Sequence, residues 1–105
     1  MKPDPQVITE LVRRITEVAN PLRIILFGSA AREEMQPDSD LDVLVVVPDG
    51  QHRGKTVAKI YRNLIGFGIP VDVVAATEAD LENHAHNFST VYYPALKEGK
   101  QIYAG

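Results

Sequence analysis

The chain contains no cysteine. Disulfides and thiolate metal sites are therefore excluded, and a reducing, cytoplasmic setting is the natural expectation. Long apolar runs are also missing. The most apolar stretch, Leu41 to Val47, has Asp42 inside it and is too short to cross a bilayer. The polar start, MKPDPQ, is followed by no apolar signal core. A surplus of basic residues is absent too: the formal net charge is −3. That balance speaks against direct binding of long nucleic acid, which runs on Lys and Arg neutralising phosphates. It leaves open a short charged ligand held through metal. No internal repeat, low-complexity tract or linker interrupts the chain. Its 105 residues suit one domain spanning 1–105.

What is present alternates between helical and strand patterns. Asp4 can cap a first helix with Pro5 at its first position. Val7, Ile8, Leu11, Val12, Ile15 and Val18 then recur at helical spacing up to Asn20-Pro21. LRIILF (22–27) reads as a buried strand broken by Gly28-Ser29, and AAREEM as a short helix. After a turn at Pro37-Asp38-Ser39, a second strand runs from about Asp40 to Val47. Val57, Ile60, Tyr61, Leu64 and Ile65 return to helical spacing and stop near Gly66 and Gly68. Pro70 to Ala76 is a third strand. Thr77 with Asp80 resembles a capping box. A last helix over Tyr92 to Glu98 ends with Gly99 at its C′ position, and Gln101 to Ala104 extends as a short edge strand. This order implies an α/β fold with one sheet.

The chemistry concentrates in LFGSAAREEMQPDSDLDVLVVV. Glycine allows a sharp turn and close backbone approach, and Ser29 adds a hydroxyl beside free N–H groups of a helix start. Such a pair is also common punctuation between elements. Asp40 and Asp42 are two apart at a strand start, so both carboxylates point to one face. Like charges there repel, and the pair calls for a cation. Hard oxygen donors in that geometry suit Mg²⁺. The plain alternative is a polar turn at a solvated strand end. Asp72 then sits among valines in an apolar run, where a lone charge is costly unless it is paired or metal-bound. If the third strand neighbours the second, the three carboxylates and the turn form a two-metal site for nucleotidyl transfer.

Gly28-Ser29, ten intervening residues, Asp40-x-Asp42 and the later Asp72 together resemble the signature of the DNA polymerase beta nucleotidyltransferase superfamily. The likeness extends over nearly the whole chain and is nearest to the small prokaryotic minimal nucleotidyltransferases (MNT), including antitoxins of HEPN/MNT pairs. The resemblance implies a polymerase beta palm-like α/β fold, a mixed sheet flanked by helices. It implies that Gly28 and Ser29 hold the triphosphate of ATP, with Arg32 steadying phosphate. Asp40 and Asp42 would bind two Mg²⁺ ions. Asp72 would bind one of them and help deprotonate the acceptor hydroxyl. It further implies a HEPN-domain toxin as partner, with AMP transferred to a tyrosine of that toxin. A homo- or hetero-oligomer would then supply the acceptor surface that larger relatives carry in a helical domain.

The chain departs from that pattern twice. Many relatives read Gly-Ser-Arg/Tyr-Ala-Arg-Gly, where this chain has Ala30 and Glu33. Ala30 removes a substrate contact, and Glu33 brings negative charge to the phosphate end. Two other readings stand beside the transferase: a non-catalytic module that docks on a helical partner, and a nucleotidyltransferase for a small-molecule hydroxyl. His84 and His86, two apart on a helix, do not share a face and read as polar surface. Tyr92 and Tyr93 read first as packing aromatics, with a partner patch or an acceptor of self-modification as the alternatives. Arg53, Lys55, Lys59 and Arg62 read as a solvated basic helix face.

Overall fold

The computed structural model describes residues 3–34, 39–84 and 92–105. Its elements run α1 (Pro5–Val18), β1 (Arg23–Phe27), β2 (Leu41–Val47), α2 (Arg53–Asn63), β3 (Val71–Thr77), α3 (Glu78–His84), α4 (Tyr92–Glu98) and β4 (Lys100–Ala104). The strands form one mixed sheet in the order β3-β2-β1-β4. β1 is antiparallel to both β2 and β4, while β2 and β3 are parallel and joined through α2. This is the expected α/β architecture. Among the described residues no helix is long and apolar enough to cross a membrane.

β2 organises the sheet because its apolar run can be covered on both faces. Leu41, Val43, Val45 and Val47 pack with Leu11 and Ile15 of α1 and Ile60 of α2. Leu44 and Val46 point the other way, towards Leu81 of α3 and Ala95 of α4. All six of these β2 side chains are 0 % exposed. Full burial of a Val or Leu contributes about 1.5–3 kcal/mol, so this strand anchors both layers. The position left over on it is Asp42, which shares the parity of Leu44 and Val46.

Local signals explain the helix ends. The Asp4 side chain accepts from the Gln6 amide at 2.8 Å, with Pro5 following the cap. Thr77 and Asp80 form the reciprocal capping box: the Thr77 amide donates to Asp80 Oδ2 at 2.9 Å, and the Asp80 amide donates to Thr77 Oγ1 at 3.1 Å. Gly99 is needed for a different reason from the one its position implied. It does not adopt a left-handed φ; instead, a Cβ there would collide with the Ala95 carbonyl oxygen and the Ile25 side chain. Its bare backbone lets the α4–β4 junction lie directly against β1.

The short helix expected in AAREEM does not form among the described residues. Residues 28–33 make consecutive turns instead. The Glu33 amide donates to the Ala30 carbonyl at 3.3 Å, and the Glu34 amide to the Ser29 carbonyl at 2.9 Å. This nested pair of bonds is the usual way a helix is terminated, and it requires a left-handed residue at its corner. Glu33 is that residue, with φ 60°, the one non-glycine positive φ among the described residues. The segment is therefore stopped after a single turn. Pro37 and Asp38 of the expected turn, and His86, lie outside the described residues, as do the side chains of His84, Tyr92 and Tyr93.

Two stability predictions follow from these turns. A left-handed conformation costs a non-glycine residue roughly 1–2 kcal/mol, and the exposed pair from Lys100 to Glu33 returns at most about 1 kcal/mol. Glu33→Gly is expected to raise the unfolding free energy by roughly 0.5–1 kcal/mol in urea titration. Gly99→Ala, which overpacks the β1 contact, is expected to lower it by about 1–3 kcal/mol.

Candidate active site

The sheet brings one end of every strand together. β1 ends where β2, β3 and β4 begin, because β1 runs antiparallel to β2 and β4 and β3 follows β2. Gly28 leaves β1 there, Asp40 and Asp42 enter β2, and Asp72 enters β3. The parallel register pairs Asp42 directly with Asp72. Side chains of equal parity in adjacent, in-register strands lie on one face, so both carboxylates stand on the face covered by α3 and α4. On the other side of Asp42 its cross-strand partner is Phe27. Asp40 lies just before β2 and is exposed.

Gly28 makes room for this arrangement. It has φ +72°, and a Cβ built on it would collide with Oδ2 of Asp42. Only glycine accommodates both the dihedral and the contact. The Asp42 carboxyl therefore rests on the bare backbone of the turn.

Electrostatics join the three acids. The Asp42 carboxyl is pushed above its ordinary 3.8, first by removal from water, then by the charges of Asp72 and Asp40 and a hydrogen bond with Asp72. Arg32 acts in the opposite direction. Each of these charges makes ionising its neighbours more costly, and a bound cation would lower that cost. Among the described residues, however, no three His, Asp or Glu side chains already converge on one point. The fixed element is the Asp42–Asp72 pair, with Asp40 beside it. That pair suits Mg²⁺, which takes one or two carboxylates and completes its shell with water and substrate phosphate.

The turn expected to hold phosphate differs in form from the expectation. With no helix behind it, the turn offers no helix dipole. It offers amides instead. The N–H groups of Ser29, Ala30 and Ala31 donate to no acceptor among the described residues, and neither does the Ser29 hydroxyl. Successive free amides in a turn form a concave anion site. Ala30, 2 % exposed, belongs to the core cluster with Leu11 and Leu26, so its small side chain serves packing. Arg32 is exposed and already engaged: it donates to Glu34 at 3.3 Å and to Glu98 at 3.4 Å. Glu98 and Lys100 carry no sequence signal of their place beside the turn. Their contacts span 66 and 67 positions, which no local pattern reports. The basic residues of α2, Arg53, Lys55, Lys59 and Arg62, are exposed, and the helix covers the sheet face opposite the one that carries Asp42 and Asp72.

Comparison with known proteins places this geometry in context. A family model described as a nucleotidyltransferase domain matches residues 6–97. The toxin–antitoxin complex MntA–HepT includes a chain similar to this one, with a TM-score of 0.63 and 17% identity over 97% of this chain and 74% of that one. A toxin–antitoxin structure solved with AMP-PNP is similar at a TM-score of 0.60 and 22% identity, covering 98% of this chain and 75% of that one. A Sulfolobus solfataricus protein described as a candidate nucleotidyltransferase gives 0.64 and 18%, covering 94% and 78%. No curated protein matches the chain.

The raised Asp42 carboxyl has a consequence for stability. A folded-state pKa above the unfolded value means that ionising the group costs the folded state. The cost appears as pH rises above 3.8 and is complete once pH passes the raised value. Asp42→Asn is therefore expected to raise the melting temperature at pH 7 in metal-free buffer. The gain should shrink as pH is lowered towards 3.8, and also when Mg²⁺ is added to the wild-type protein. A melting temperature insensitive to both would show that the carboxylates do not repel in the fold.

Proposed function

The chain belongs to the nucleotidyltransferase domain family, and on that premise we propose that it transfers AMP from ATP to a tyrosine hydroxyl of a helical HEPN toxin, acting as its cytoplasmic antitoxin. The observation that carries this reading is the in-register pair Asp42–Asp72 beside a glycine turn in which the Ser29, Ala30 and Ala31 amides donate to no acceptor among the described residues. Likeness of fold to the MntA–HepT chain supports the choice of partner, and the relative solved with AMP-PNP supports an adenine nucleotide.

The residues divide the work. The amides of Ser29, Ala30 and Ala31 receive triphosphate oxygens, with the Ser29 hydroxyl and Arg32 as further donors. Asp40, Asp42 and Asp72 would hold two Mg²⁺ ions. When bound, these supply positive charge to the attacking and leaving oxygens of an in-line displacement. Asp72 is exposed at the edge strand β3, open to an incoming hydroxyl, and takes its proton. The tyrosine oxygen bonds to the α-phosphorus as the bond to the bridging oxygen breaks, and pyrophosphate leaves. One observation favours docking without transfer: Arg32 is tied to two carboxylates. The same test separates the two readings.

In that test the chain is co-expressed with its helical partner and incubated with labelled ATP and Mg²⁺. Label should appear on the partner. Asp40→Ala and Asp42→Ala should each cut the labelling rate by about 10²–10⁴-fold, the scale of losing several kcal/mol of charge stabilisation, with the fold retained. If both variants still neutralise the toxin, docking alone explains the function.

A further inference from the structure

We infer that Glu98 sets the nucleotide affinity of this site by holding Arg32 in a resting ion pair that the triphosphate must displace. The inference rests on the proposed nucleotide reading and adds a residue to it. Arg32 sits one position before Glu33, on the turn that carries the free amides. Its charge acts on Asp42, so its guanidinium belongs to the carboxylate end of the site. Yet in the resting protein that guanidinium is committed: Nε donates to Glu34 and Nη1 to Glu98, at 3.3 and 3.4 Å.

Glu98 is not there by loose chance. It is the last residue of α4, and Gly99 immediately after it is pressed onto β1 in a space that admits no Cβ. Lys100 then pairs with β1 opposite Leu26. The backbone on both sides of Gly99 is thereby fixed next to the turn. Two opposite pairs cross the gap: Arg32 to Glu98, and Lys100 Nζ to Glu33 at 3.2 Å. The turn backbone is secured by its own nested hydrogen bonds. Side-chain rotation of Arg32 can therefore exchange Glu98 for a phosphate oxygen without moving the amides.

The magnitudes favour exchange over a permanent lock. Both partners of the Arg32–Glu98 pair are about half exposed, at 44% and 49%. A pair of that kind is readily displaced, and a polyphosphate carries more charge than one carboxylate and makes stronger, charge-assisted bonds to the same fork. Glu98 lowers the affinity by competing for Arg32, and its loss frees the Nη1 end of the guanidinium while Nε stays on Glu34.

The test is a binding titration with Mg²⁺ and AMP-PNP at low salt on the wild type, Glu98→Gln, Arg32→Gln and the double variant, with a melting curve for each. Glu98→Gln is expected to tighten binding about 1.5- to fivefold, the range of an exposed ion pair. Arg32→Gln is expected to weaken it, and the gain from Glu98→Gln should vanish in the Arg32→Gln background. Unchanged or weaker binding by Glu98→Gln overturns the inference while leaving the nucleotide reading intact. So does a gain that persists without Arg32, which would report only the overall negative charge near the site. If no variant, wild type included, binds AMP-PNP with Mg²⁺, the nucleotide reading falls and this inference with it.

Discussion

Everything at the functional edge depends on the register between β2 and β3. In a parallel pair with residues in line, Asp42 has no position available except beside Asp72. The hydrophobic core enforces that register. β2 is buried on both faces by alternate side chains, and a slip of one residue would drive Asp42 into the layer of Leu11 and Ile60. The apolar residues that stabilise the sheet are the same ones that hold two like charges together. Repulsion between them is a cost that the core can bear and that a cation would relieve.

The turn after β1 shows a second compromise. Gly28 surrenders a side chain so that Asp42 can rest on its backbone. Five residues later the opposite choice is made: Glu33, a residue with a side chain, takes a left-handed conformation. The strain lies beside a charge pair to Lys100, so backbone and electrostatics act on the same few atoms. The outcome is a one-turn segment with three amides that donate to no acceptor among the described residues.

The last element completes that edge. α4 and β4 meet at Gly99, whose missing Cβ brings their junction against β1. Acidic Glu98 and basic Lys100 then flank the turn on the scaffold. A strand that looks like simple edge cover also determines which charges surround the turn after β1.

The amino-acid sequence by itself determined the order of the four strands and of the helices other than AAREEM, the α1 cap at Asp4 and the capping box at Thr77 and Asp80. It also determined which residues are acidic at the strand starts. These are local facts: hydrophobic period, capping chemistry and the cost of an Asp among valines act within a few positions. The sequence pattern misread AAREEM as a helix, because good helix formers there are overruled by the Glu33 corner. It misjudged why Gly99 is glycine, because the reason is a contact with β1 and not a dihedral angle. The side-by-side placement of Asp42 and Asp72, the seat of Asp42 on Gly28, and the capture of Arg32 by Glu98 were decided only by tertiary structure. Each joins segments far apart in the chain, and such contacts are specified by sheet register and core packing acting together, not by any one stretch of residues.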